Sequence, residues 1–235
     1  MLCIGPSGTI FRRIMAIFEG HGLACIRSDR IVFAGLDFSV SPGEALILTG
    51  ANGSGKSSLL RLMAGLGRPA AGRLLWNGAP VDDDRDAFFR QTHYLGHRDA
   101  VKPALTVREN LAFHAALRGS DATGLDATGL DAALSTVGLD ALADMPARML
   151  SAGQTRRLAL ARVLASPASL WLLDEPTIAL DAASVAAVFA AVARHRAAGG
   201  MVVASTNVPL ALEAPKRLDL AEFRDAGVTP WGDAT

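Results

Sequence analysis

Half of the 235 residues are hydrophobic and only a fifth are charged, which excludes an intrinsically disordered chain and suits one domain with a substantial core. Lys+Arg and Asp+Glu balance at 23 each, so nothing electrostatic argues for nucleic acid as a partner. Cys3 and Cys25 stand far apart with no histidine or second cysteine pair at ligand spacing, which argues against a zinc site or disulfide framework and for plain thiols in a reducing compartment.

At the N-terminus, Arg12-Arg13 is followed by only a few apolar residues before Glu19 and His21, which is not a secretory signal. Met15 would make a natural start, so residues 1–14 read as an upstream extension. Residues 23–26, 31–33 and 36–40 are short apolar segments followed by the turn Ser41-Pro42-Gly43-Glu44. They predict an antiparallel sheet feeding the buried strand Ala45-Leu46-Ile47-Leu48-Thr49.

Directly behind that strand, Gly50-Ala51-Asn52-Gly53-Ser54-Gly55-Lys56-Ser57 completes the G-x-x-x-x-G-K-[ST] pattern, and a helix begins at Ser58. Strand, loop and helix in this order are the context that a phosphate-binding loop needs. The glycines let consecutive N–H groups turn toward one anion, and the new helix adds its own unpaired amides and positive dipole end. Lys56 supplies a charge for the outer phosphates and Ser57 a hydroxyl for Mg²⁺.

Further along, residues 71–78 predict a strand and turn, Asp82-Asp83-Asp84 a solvated loop, and Thr92-His93-Tyr94-Leu95 a short strand. Thr106-Val107-Arg108-Glu109 is a capping box opening a helix over 110–117, and residues 98–150 read as mostly helical. Within them Asp121-Ala122-Thr123-Gly124-Leu125 recurs as Asp126-Ala127-Thr128-Gly129-Leu130, a duplication tolerated in a loop between helices. The remaining elements are a helix at 154–165, a strand at 170–173, a helix at 182–196 and a strand at 201–205. No uninterrupted apolar run reaches the roughly 18 residues that a membrane-spanning helix requires, so the chain reads as soluble or peripheral, and cytoplasmic.

Two further motifs bear on chemistry. Leu170-Trp171-Leu172-Leu173 is a continuous apolar strand ending in Asp174-Glu175, which puts two acids at the carboxyl end of a buried parallel strand, where α/β sites lie. Asp174 is suited to hold Mg²⁺ and Glu175 to polarise an attacking water. Leu150-Ser151-Ala152-Gly153-Gln154 precedes a helix and makes a second anion site at a helix N-terminus. One nucleotide already has its phosphate loop, so this second site most simply serves the nucleotide of another protomer.

In this order and spacing, residues 50–57, 150–154 and 170–175 and Leu180-Asp181 resemble the ATP-binding subunits of ABC transporters over about 21–210. The resemblance implies an α/β P-loop NTPase with a mixed sheet core, an inserted helical subdomain at about 98–155 and an antiparallel β subdomain. It sets residues 1–20 apart as an N-terminal extension, 21–212 as a single ATPase domain and 213–235 as a C-terminal tail. It also implies a head-to-tail homodimer, with ATP held between residues 50–58 of one protomer and Ser151, Gly153 and Gln154 of the other, and Asp181 in the joining loop. A narrower resemblance rests on Tyr94-Leu95-Gly96-His97, on Leu105-Thr106-Val107-Arg108-Glu109-Asn110-Leu111 and on Glu175-Pro176-Thr177-Ile178-Ala179-Leu180-Asp181. It is to the cytochrome c maturation branch, the haem exporters. That branch implies an integral membrane partner subunit, the cytoplasmic face of the inner membrane, and ATP hydrolysis coupled to haem delivery or to release from a haem chaperone. The two cysteines and five histidines form no haem-binding pair, so no direct haem contact is expected.

The pattern departs from the family at three places. His97 stands where most members carry a metal-contacting Gln, a substitution that also resembles the narrower branch. Asn207 stands where most carry a His contacting the γ-phosphate; an amide can hydrogen-bond a phosphate but cannot carry a proton, so slow hydrolysis is expected from Lys56, Glu175 and Asn207 together. No aromatic residue for the base stands near Arg27. Two other readings remain open on these residues: a soluble ABC ATPase outside transport, and an ATP-gated scaffold with little hydrolysis, which Asn207 motivates.

Overall fold

The computed structural model describes residues 17–118, 127–206 and 212–224. In chain order the first half comprises β1 (Phe18–Arg27), β2 (Arg30–Val40), β3 (Ala45–Thr49), α1 (Lys56–Met63), β4 (Ala71–Trp76), β5 (Ala79–Pro80), α2 (Arg85–Arg90) and β6 (Thr92–Leu95). The second half comprises α3 (Val107–Leu117), α4 (Ala127–Thr136), α5 (Ala152–Ala165), β7 (Leu170–Asp174), α6 (Ala182–Ala197), β8 (Met201–Ser205) and β9 (Lys216–Asp219).

Antiparallel and parallel pairing are separated into two sheets. The first, ordered β2-β1-β4-β5, is wholly antiparallel. Its β1–β2 hairpin closes through Ser28 and Asp29, both at positive φ (46° and 60°), the two-residue geometry that matches strand twist. The two apolar segments expected at 31–33 and 36–40 belong to one strand, interrupted at Gly35 (φ 68°), where the register with β1 shifts between Leu23↔Leu36 and Cys25↔Phe33. Such an interruption is a bulge, and glycine supplies the conformation it needs.

The second sheet is ordered β6-β7-β8-β3-β9 and is parallel throughout. Every residue of β7 and β8 is buried, as a strand covered on both faces must be. Their side chains alternate between two cores. Trp171, Leu173, Val202 and Ala204 face the core built with α3, α4, α5 and α6. Leu170, Leu172, Met201 and Val203 face the core that α1 and the antiparallel sheet complete, with Phe18, Phe33, Leu59 and Phe88.

Both expected domain boundaries move outward. Phe18, Glu19 and Gly20 pair with Val40, Ser39 and Phe38, so the first strand reaches into the segment set apart as an extension. β9 pairs with β3, and the 3-10 turn after it buries Leu220 completely, so the expected tail supplies an edge strand and a core residue. Helix α3 starts three residues before its expected position, directly on the Thr106 cap. Asp84 caps α2 through Ala87 N and Asp82 pairs with Arg85, so two of the three acids in the expected loop are structural. The proposed extension 1–14, the first copy of the pentapeptide repeat, Cys3 and Asn207 lie outside the described residues; Gly129 and Leu130 of the second copy are helical within α4. Cys25 is buried as a free thiol. Among the described residues, no helix is long and apolar enough to cross a membrane.

Candidate active site

Because the second sheet is parallel, the carboxyl ends of its strands share one edge. The 50–57 loop leaves β3 there, Gly96-His97 leaves β6, Asp174-Glu175 ends β7 and Thr206 follows β8. The loop and the acid pair are two strand spacings apart, roughly 10 Å, with β8 between them.

The loop is shaped by glycines at backbone conformations that favour glycine. Gly50, Gly53 and Gly55 have φ of 131°, 77° and 106°. A Cβ on Gly50 would stand 2.7 Å from Ser54 Oγ, and one on Gly55 would stand 2.5 Å from Val32 Cγ1. Gly55 is also the N-cap of α1 and places no side chain over the helix's first amides, which stay available to an anion. Lys56 is 7% exposed and donates from Nζ to Gly50 O at 2.7 Å and Ala51 O at 3.2 Å, so its ammonium lies over the loop. Ser54 Oγ is buried without a hydrogen-bond partner among the described residues, and Ser57 is exposed on the first turn of α1.

Asp174 is 2% exposed. Ser205 Oγ donates to its Oδ1 at 2.6 Å, and the same hydroxyl accepts from Glu175 N at 3.1 Å. Glu175 N also reaches Ser205 O at 3.2 Å. Glu175 itself sits at φ 49°, a left-handed conformation that costs a non-glycine residue about 1–3 kcal/mol and persists only where neighbours enforce it. Close by, burial pushes the Tyr94 phenol up, and the Asp174 carboxylate adds to that shift.

Ser151 caps α5 in a complete capping box: Ser151 Oγ accepts from Gln154 N and Gln154 Oε1 accepts from Ser151 N. A Cβ on Gly153 would stand 2.9 Å from Ala179 O, so the start of α5 leans on the segment that follows Glu175. Asp181 ends that segment as the N-cap of α6, accepting from Ser184 N at 2.7 Å; the bond holds its carboxyl below the usual range.

The structure therefore brings residues 50–58, Asp174, Glu175 and His97 to one edge and rests the 151–154 turn against the segment after Glu175. His97 is exposed. Among the described residues, no group of three or more His, Cys, Asp or Glu side chains forms a metal site of its own. Two residues that the sequence reading passed over stand at this edge. Ser205 joins both acids. Arg156, 3% exposed, reaches the backbone of both acids from α5. A signal for Arg156 was present: with Ala159, Leu160 and Val163 it lies on one buried stripe of α5, and a charge inside an apolar stripe is unusual unless it is paired.

The ABC transporter family profile matches residues 33–178. The "Cytochrome c biogenesis ATP-binding export protein CcmA" of Rhodospirillum rubrum is 52% identical over 222 residues, covering 94% of this chain and 93% of the relative. The protein of the same name from Paramagnetospirillum magneticum is 54% identical over 213 residues, covering 91% of this chain and 98% of the relative. Among solved structures, a putative ABC transporter ATP-binding protein from Pyrococcus furiosus superposes with a TM-score of 0.77 over 88% of this chain and 99% of that one, at 24% identity, a likeness of fold.

Proposed function

The chain belongs to the ABC transporter family of ATP-binding proteins, and from that premise we propose how its residues divide the work within a haem exporter of cytochrome c biogenesis. It is the ATP-binding and ATP-hydrolysing subunit of an export system. The observation that carries the division is the shared edge, with an open, glycine-shaped amide cradle on one side and Asp174-Glu175 on a strained, multiply held turn on the other. The cradle amides and Lys56 bind the outer phosphates. Glu175 accepts the proton of the attacking water. Ser57 and Asp174 suit Mg²⁺: a carboxylate this buried calls for a nearby cation, and the ion neutralises phosphate charge when bound. Residues 97–108 meet the integral membrane subunit on the cytoplasmic side of the inner membrane. Ser151, Gly153 and Gln154 serve the nucleotide of a second copy in a head-to-tail homodimer.

Steady-state ATP turnover tests this reading. Glu175→Gln is expected to lower turnover by about 10²–10⁴-fold, and Asn207→His to raise it above the parent by restoring a group that can carry a proton. ATP binding without turnover in the parent, alone and with its membrane partner, would instead favour the scaffold reading.

A further inference from the structure

Arg156 connects three parts of the molecule that the hydrolytic reading treats separately. It projects from the second turn of α5, three residues beyond Gly153. Nη1 donates to Gly96 O at 2.9 Å and Asp99 Oδ1 at 2.8 Å, and Nη2 donates to Asp174 O at 2.5 Å and Glu175 O at 2.8 Å. All four hydrogens on the two terminal nitrogens are thereby directed, half to the loop that carries His97 and half to the turn that carries the two acids. Only a planar guanidinium offers this fork; a lysine ammonium is a point charge on a flexible stem.

The choice of acceptors is informative. Asp99 is the ion-pair partner of Arg156. The three carbonyls belong to Asp174, to Glu175 and to the residue before His97. Glu175 holds a left-handed backbone, and its carbonyl is one of the groups fixed. Arg162, six residues further along α5, makes the contrast. It donates to Asp99 O and to Ala100 O, securing the same loop without touching the acid pair.

We propose that Arg156 is a positioning residue for hydrolysis, fixing the Glu175 turn and the 96–99 loop to the start of α5, so that the aim of the base and the placement of the 151–154 turn are set together. The inference rests on the hydrolytic reading above. It follows that a displacement of the 96–99 loop reaches Glu175 through one side chain.

The test uses the purified full chain, with kcat and KM for ATP, the Kd for trinitrophenyl-ATP and the thermal midpoint measured for the parent and for Arg156→Gln, Arg156→Lys and Arg162→Gln. Arg156→Gln is expected to keep Kd within about threefold while kcat falls about tenfold to hundredfold, the scale of a misplaced catalytic group. Arg156→Lys is expected to recover only part of kcat. Arg162→Gln is expected to lower the thermal midpoint while kcat stays within about threefold. Equal kcat losses in the Gln variants at 156 and 162 would reduce Arg156 to a stability element and overturn the proposal. If Arg156→Gln does not fold, Arg156→Lys decides: parental kcat overturns the proposal, and reduced kcat at parental Kd supports it. A parent without turnover, even with its membrane partner, removes the hydrolytic reading and the proposal with it, whereas normal parental turnover matched by Arg156→Gln removes the proposal alone.

Discussion

Helix α1 starts on Gly55, left-handed and without a side chain over its first amides, whereas α5 starts on Ser151, whose hydroxyl already accepts from Gln154 N while Gln154 returns the bond to Ser151 N. Under the proposed function both N-termini meet nucleotide, yet they offer it different things. The first offers bare amides, a dipole end and the Lys56 ammonium, a combination that attracts phosphate by charge. The second has its orphan amides partly satisfied from within. What Ser151 retains is its hydroxyl proton, since a hydroxyl that accepts one bond can still donate another. The α1 end thus suits a phosphate within its own chain, and the α5 end offers one donor on a preformed turn.

The largest effects are expected where the open cradle is damaged. Gly55→Ala must place a Cβ 2.5 Å from Val32 Cγ1 at φ 106°, so the loop cannot keep its shape, and ATP affinity is expected to fall by more than about 100-fold, beyond the loss of any single charged bond. Lys56→Ala leaves the amides in place and removes one charge-assisted contact, worth about 1.5–3 kcal/mol or roughly 10–100-fold in Kd. Titration with a fluorescent ATP analogue orders the two. Equal losses would mean that the cradle contributes nothing beyond its lysine.

Next comes the capped end. Ser151→Ala removes the N-cap, costing about 1 kcal/mol of stability, and removes the hydroxyl that the proposed homodimer would offer to the second copy. ATP affinity of the isolated chain is expected to remain parental while turnover falls about tenfold, because in the proposed homodimer the donor acts only once two copies close on nucleotide. Reduced ATP affinity in the isolated chain would assign Ser151 to the nucleotide of its own protomer.

The contrast between the two ends also explains what could be read without coordinates. Residues 50–57, the Thr106 box, the 150–154 helix start and the acid pair are all legible because each depends on residues within a few positions of one another, whereas the reciprocal box at Ser151 emerged only from the structure. Ser205 and Arg156 were missed because their partners lie far away in sequence: Ser205 meets Asp174 across β7 and β8, and Arg156 meets Gly96 from another subregion. β9 escaped because it is a four-residue edge strand, Lys-Arg-Leu-Asp, with no residue fully buried, and an edge need not carry the apolar run of a central strand. The N-terminal boundary missed Phe18 because that side chain's burial is set by Phe38, Trp76 and Phe88, none of them local.

The smallest effect serves as the control. Thr106 caps α3 with the same reciprocal box as Ser151: its hydroxyl accepts from Glu109 N at 3.1 Å, and Glu109 Oε2 accepts from Thr106 N at 2.8 Å. No anion is assigned to this helix end, so the box acts only on the helix. Thr106→Ala is expected to cost about 1 kcal/mol, lowering the thermal midpoint by about 2–4 °C, with turnover within about twofold of the parent. Ser151→Ala matches it in stability, because the caps are alike, and departs from it in turnover. Should Thr106→Ala lose as much turnover as Ser151→Ala, the effect of Ser151 would be helix stability transmitted to the site, and the distinction between an open N-terminus and a presenting one would fail at α5 while still holding at α1.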